Sequence, residues 1–102
     1  MTWRLVQGDT VIGKLTDYGC DMPFLLLRFA PEAGWEAVRP RFEALAAAVT
    51  GKDPDGSRFV AAAKPLQELE LILEHADGRE APLRVWRNCF LHIDGPKARL
   101  RY

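Results

Sequence analysis

Trp3-Arg4-Leu5-Val6-Gln7-Gly8-Asp9-Thr10-Val11-Ile12-Gly13-Lys14-Leu15-Thr16 is the stretch that decides the fold class. Two apolar-rich runs, residues 3–7 and 10–16, flank a glycine-first dipeptide, the pattern of a two-residue β-hairpin. In the second run, strand alternation puts Val11, Gly13 and Leu15 on one face and Ile12, Lys14 and Thr16 on the other. A chain that opens on so tight a turn builds antiparallel pairs, because a parallel pair needs a long crossover.

Downstream, residues 17–23 (Asp-Tyr-Gly-Cys-Asp-Met-Pro) are rich in turn formers and read as a loop. Residues 24–29 are apolar until Arg28, as expected of a strand central in a sheet or covered on both sides. Trp35, Val38, Phe42, Leu45 and Val49 then recur at spacings of three and four, a helical stripe. Pro40 predicts a short helical turn at residues 35–38 followed by a main helix over 40–49, with one kinked helix as the alternative. Thr50-Gly51 ends it. Ser57 is the expected cap of a second helix carrying Phe59, Val60, Ala63 and Leu66.

At Leu69 the period changes. Leu69, Leu71 and Leu73 alternate with Glu68, Glu70 and Glu74, with Ile72 the exception, which is strand spacing. Asp77-Gly78 marks a turn, and residues 79–83 read as a loop or loose edge strand because Pro82 is unsuited to a central position. Residues 85–94 predict a fifth strand, Gly95-Pro96 a turn, and residues 97–102 the last strand. The order β-β-β-α-α-β-β-β with short turns predicts an α+β fold: a single antiparallel sheet of about six strands with two helices packed on one face.

The chain of 102 residues fits one domain spanning 1–102, and 48% hydrophobic content supports a packed core. Its formal net charge is zero, so no global field recruits nucleic acid or an anionic membrane. No signal-peptide pattern opens the chain, and the longest apolar runs are too short to cross a bilayer, so the expected compartment is the cytoplasm, without a membrane partner. Cys20 and Cys89 make neither a disulfide framework nor a zinc spacing, and read as small core or near-surface thiols.

Charge is unevenly distributed. Residues 79–102 hold six basic side chains against Glu80 and Asp94, whereas residues 51–78 hold three basic and six acidic. Lys97, Arg99 and Arg101 alternate with Ala98, Leu100 and Tyr102, so one face of the last strand is basic. In the expected preceding strand Arg84, Trp86, Asn88, Phe90, His92 and Asp94 share a face. Arginines beside aromatic rings can hold phosphates and stack bases. The plainer reading pairs the basic face with Glu68, Glu70 and Glu74 across the sheet, or leaves it facing water.

Evidence for an enzyme is thin. Cys89 and His92 are three apart on one expected strand and point to opposite faces, a poor nucleophile and base. His92 and Asp94 share a face, as an orienting carboxylate requires, but such a pair at a strand end commonly stabilises a turn. No calcium loop, phosphate-binding glycine loop, metal motif or cofactor motif is evident. The 17–23 loop offers Tyr18, Asp21 and Met22, residue types suited to a contact surface.

Gly19-Cys20-Asp21-Met22-Pro23-Phe24, Arg28-Phe29-Ala30-Pro31 and Trp35-Glu36-Ala37-Val38-Arg39-Pro40-Arg41-Phe42-Glu43, together with Phe90-Leu91-His92-Ile93-Asp94-Gly95, Ala98 and Arg99, are similar to segments of a family of small cytosolic proteins common in high-GC bacteria, to which no activity is assigned. The resemblance covers under half of the chain. It implies a bacterial, cytosolic origin and carries over no functional residue.

The leading expectation is a non-enzymatic binding module acting by protein–protein contact, a regulator, adaptor or immunity-type inhibitor, with Tyr18, Asp21, Met22, Arg84, Trp86, Arg99 and Arg101 as partner-binding candidates. Nucleic-acid binding by the C-terminal hairpin is the first alternative, and a small-molecule or enzyme site near Tyr18, Cys20, Trp35 and His92 the second. A homodimer formed through an exposed edge strand, residues 3–7 or 97–102, is a further possibility.

Overall fold

Gly8 adopts φ 58°, the left-handed backbone that a tight hairpin requires at its first central position, and Gln7 pairs with Thr10 across it. This computed structural model describes residues 2–50, 56–78 and 81–102. Among them the elements are β1 (Thr2–Gln7), β2 (Thr10–Asp21), β3 (Phe24–Pro31), α1 (Trp35–Thr50), α2 (Ser57–Glu68), β4 (Ile72–His75), β5 (Leu83–Arg84), β6 (Phe90–Asp94) and β7 (Lys97–Arg101). The strands form one seven-stranded sheet in the order β5-β4-β1-β2-β3-β7-β6, every neighbouring pair antiparallel. The α+β class, the element order and the two helices follow the sequence reading, with one strand more than the six expected. The addition is the two-residue β5, at the sheet edge beyond Pro82.

The two edge strands, β5 and β6, are consecutive in the chain and joined only by residues 85–89. In a flat sheet the edges of seven strands stand about 29 Å apart. The connection reaches about 20 Å at most. The sheet must therefore curl. The rings of Trp3 and Tyr102 accordingly lie 5.7 Å apart, although β2 and β3 separate β1 from β7. Inside the curl sit Trp3, Leu5, Leu15, Leu27, Leu73, Leu91 and Leu100, all fully buried. The helices complete this core with Val38, Phe42, Leu45, Ala63 and Leu66. Phe29, Trp35 and Phe42 stack in series and fasten α1 to β3.

The 85–89 turn hangs on Trp86. This residue adopts φ 64°, costly for a bulky side chain by about 1–3 kcal/mol. Several contacts offset that cost. Its backbone N–H donates to the Cys89 carbonyl at 2.9 Å, its indole N–H donates to the Leu91 carbonyl at 3.1 Å, and its own carbonyl accepts from Gln67 Nε2 at 2.9 Å. Its ring packs against Phe59 of α2.

Several local expectations are corrected. Residues 17–21 are not a loop: β2 runs through them to Asp21, and the two-residue turn Met22–Pro23, with a cis peptide bond, leads into β3. A bulge between Asp17 and Gly19 makes Tyr18 the extra residue. A second irregularity, between Leu5 and Val6, breaks the alternation in β2, so that Ile12 and Leu15 are both buried. The first helix is continuous from Trp35 with Pro40 inside it, the alternative of the two readings. Gly56, not Ser57, occupies the N-cap position of α2. Residues 85–89 are a turn rather than strand, and only residues 90–94 form β6. Residues 79 and 80, the start of the expected loop or edge strand, lie outside the described residues, as do residues 51–55. Both strands expected as exposed edges, 3–7 and 97–102, are interior: β1 lies between β4 and β2, and β7 between β3 and β6.

Packing at two glycines of β2 separates core from arm. A β-carbon at Gly13 would run into the ring of Phe29 and sit 2.9 Å from the Ala30 carbonyl oxygen, whereas one at Gly19 meets nothing closer than Leu26 Cδ1 at 3.8 Å. Gly13→Ala is expected to destabilise the protein by about 1–3 kcal/mol through overpacking. Gly19→Ala should change stability by less than about 0.5 kcal/mol. Urea unfolding of the two variants beside the wild type checks both values.

Candidate functional site

Directly paired residues of an antiparallel sheet carry their side chains on the same face. The register therefore builds the outer face of β2, β3, β7 and β6 row by row. Thr16, Arg28, Lys97 and Asp94 make one row, Gly19, Leu26, Arg99 and His92 the next, and Arg101 with Phe90 a third, near the Asp21–Phe24 pair. The alternate residues, Leu25, Leu27, Leu91, Ile93, Ala98 and Leu100, face the core.

On the outer face cations and rings are interleaved. The Arg28 guanidinium lies 5.3 Å above the Tyr18 ring, and that of Arg101 lies 6.0 Å from the Phe90 ring. Arg99 is 3.7 Å from the Asp21 carboxylate. The bulge at Tyr18 is what carries its ring over Arg28. Met22 is 82% exposed at the tip of the β2–β3 hairpin, with its Sδ 3.4 Å from Cys20 Sγ. Tyr18 and Phe90 are also exposed, each by a little under half.

Five of the seven expected contact residues, Tyr18, Asp21, Met22, Arg99 and Arg101, thus meet at one end of the sheet. Arg84 and Trp86 do not join them. Arg84 belongs to β5, which pairs with β4 rather than with any strand of this face, and its backbone N–H donates to Asn88 Oδ1 at 2.6 Å. Trp86 is only 5% exposed and serves the turn, because the strand expected to carry it breaks at 85–89; its ring still packs against Phe90 at 5.3 Å, bordering the face without being presented on it. Arg28 and Phe24 were not singled out by the sequence. The usable signal was Arg28 as the one charge in an otherwise apolar strand. The expected pairing of the basic face with Glu68, Glu70 and Glu74 is not made: Glu68 and Glu70 lie outside the strands, and Glu74 on β4 pairs with Arg4 on β1 at 3.3 Å.

Tyr18, Cys20, Trp35 and His92 do not line a common pocket. Trp35 lines a groove with Phe29, Arg39 and Ile93. Tyr18 borders a separate recess with Arg28 and Lys97. His92 lines an open groove of about 510 Å³ with Phe24, Val49 and Arg99. Among the described residues no group of three His, Cys, Asp or Glu side chains could hold a metal ion. No helix among them is long and apolar enough to cross a membrane.

Where the face meets α2, His92 sits among the rings of Phe24 at 6.0 Å, Phe59 at 6.2 Å and Trp86 at 5.2 Å. Burial, and secondarily the positive charge of Arg99 paired across from it, hold the His92 pKa below its ordinary value. The imidazole is therefore neutral at neutral pH. Burial pushes the Cys89 thiol up to about 11, against a smaller opposing effect of its hydrogen bond with the Trp86 backbone. Cys20 is exposed.

No protein-family model, no curated protein and no solved structure matches the chain.

Two measurements follow from these titratable groups. With the folded protein, a disulfide reagent at neutral pH should consume the Cys20 thiol promptly and the Cys89 thiol only on unfolding, since Cys89 is both buried and protonated. Prompt reaction of two equivalents contradicts this placement. The second concerns acidification. In the unfolded chain His92 takes up a proton near pH 6.5, whereas the folded site resists it, so the unfolded state binds more protons and stability falls as pH drops below that value. Wild type should therefore lose stability between about pH 7 and about pH 5 that His92→Gln does not lose. Parallel acid-side unfolding curves for the two proteins contradict the assignment.

Proposed function

We propose that the protein is a non-enzymatic binding module that acts by protein–protein contact, as a regulator, adaptor or immunity-type inhibitor, through the outer face of β2, β3, β7 and β6. The observation that carries this reading is a sheet face on which Arg28, Arg99 and Arg101 alternate with Tyr18, Phe24 and Phe90, bordered at His92 by α1 and α2 and with exposed Met22 at its rim. Arginine, tyrosine, phenylalanine and methionine are the types enriched where protein partners meet. Asp21 and Asp94 interrupt the basic field on the same face, which suits a partner of mixed charge better than a continuous phosphate backbone.

Nucleic-acid binding is the second reading, favoured by the gathering of Arg28, Lys97, Arg99 and Arg101 beside two exposed rings. One experiment separates the two. Tagged protein is used to capture partners from a nuclease-treated lysate of the source organism, in parallel with Arg99→Glu and Arg101→Glu. A defined protein retained by the wild type and lost from both variants is the expected result. Material that disappears on nuclease treatment, with a steep loss at rising salt, replaces the protein reading with the nucleic-acid one. Capture that both variants retain unchanged removes the outer face from the mechanism.

A further inference from the structure

Facing residues of an antiparallel pair stand closest where they exchange no backbone bonds with each other. Phe29 donates its backbone N–H straight across to the Pro96 carbonyl at 2.8 Å, so the next pair along, Arg28 with Lys97, is of that close kind. Two cations thus meet on the outer face at the tightest cross-strand spacing, about 4.5 Å between α-carbons. Like charges directly opposite one another destabilise a sheet. The neighbouring cations of the face are each matched: Arg4, Lys14 and Arg99 lie 3.3, 4.0 and 3.7 Å from Glu74, Glu32 and Asp21. Among the described residues, by contrast, neither Arg28 nor Lys97 forms an ion pair. Asp94 faces Lys97 across the Gly95–Pro96 turn and still makes none with it. Asp17 is paired with Leu27 and so belongs to the opposite face. The two cations open onto a recess of about 350 Å³, lined by Tyr18, Arg28, Phe29, Pro96 and Lys97 and by no carboxylate. The Tyr18 ring, 5.3 Å from the Arg28 guanidinium, restrains that end of the recess.

We infer that this recess seats a phosphate monoester carried on a side chain of the partner protein, with Arg28 and Lys97 sharing the phosphoryl oxygens. The inference rests on the protein-contact reading of the outer face and names the chemistry of the partner. A repulsive pair kept at the closest cross-strand position breaks a rule of sheet design, and such breaks fall where function needs them. The missing counter-charge is then supplied from outside. A phosphorylated side chain brings about −1.5 to −2 charge at neutral pH, a match for two adjacent cations, whereas a carboxylate or a phosphodiester brings a single charge. The apolar walls given by Tyr18, Phe29 and Pro96 suit the stem that carries the phosphoryl group. Asp94, one strand beyond Lys97, repels a polyanion running on past the recess, which a single phosphoryl group avoids.

The test titrates the full chain, followed by NMR, with N-acetyl amides of phosphotyrosine, sulfotyrosine and glutamate, and with a dithymidine phosphodiester. Phosphotyrosine should shift the Tyr18 and Lys97 resonances saturably and bind several times more tightly than the three singly charged probes. Arg28→Gln and Lys97→Gln should each weaken it about tenfold. Lys97→Gln also removes the repulsion, so its urea midpoint should equal or exceed that of the wild type. A lowered midpoint overturns the view of the pair as unmatched. No saturable shift at Lys97, or binding that both substitutions leave unchanged, overturns the seat itself. Sulfotyrosine or glutamate bound as tightly as phosphotyrosine overturns the phosphoryl group in favour of any acidic side chain, and the phosphodiester bound as tightly overturns it in favour of nucleic acid. The capture experiment alters neither Arg28 nor Lys97, so a failure here leaves the outer-face reading intact. Failure of capture while phosphotyrosine still binds overturns the protein source and leaves a free phosphate ester as the ligand.

Discussion

The connection between β5 and β6 is the constraint on which the rest of the molecule depends. It ties the first and last strands of a seven-stranded sheet with five residues, and Trp86 holds the join through three hydrogen bonds and a ring packed on α2. Because the edges are drawn together, the sheet has an inside. Leucines from β1 through β7 converge there, and two helices suffice to close the remaining opening. The left-handed backbone at Trp86 is a small local cost against a global gain in apolar burial.

The curl also sorts the surface. The inner residues of β6 and β7 are committed to the core, which forces Arg99, Arg101, Phe90 and His92 outward. The alternation of basic and apolar residues in residues 97–102 is thus a folding pattern first, and the mixed cationic and aromatic face is its by-product. What makes that face more than a solvated sheet is the placement of rings under guanidinium groups, which restrains the arginines before any partner arrives.

Much of this was legible in the sequence, and the failures have physical reasons. The Gly8-Asp9 hairpin and the helical stripe from Trp35 are local signals, and each appears where its residues predict; the switch to strand period read at Leu69 comes later, because Leu69 caps α2, Glu70 turns the chain with φ 53° and β4 begins only at Ile72. Residues 17–21 misled because Asp, Gly and a following Pro are turn formers, whereas pairing with an apolar strand outweighs local preference. Residues 85–94 misled for the converse reason: Val, Trp, Cys and Phe read as strand, but the demand to join two sheet edges converts Trp86 into a turn residue. Of the site, Lys97, Arg99 and Arg101 were visible as an alternating face. The company of Arg28 and Tyr18 was not, because it depends on which strands become neighbours.

The strand order has a kinetic consequence. The β1–β2–β3 meander and the β6–β7 hairpin are made from residues close in sequence, but β1 with β4 and β3 with β7 join residues far apart; Arg4 and Glu74 are 70 positions apart. Loop-closure entropy must be overcome before those long-range pairs return any stabilisation. Local ribbons therefore assemble early, and the curl closes late, when Trp86 finds its partners. Until then Leu5, Leu73 and Leu100 lie on open ribbons, so crowding in the nascent chain, rather than weakness of the finished core, is the hazard this topology carries.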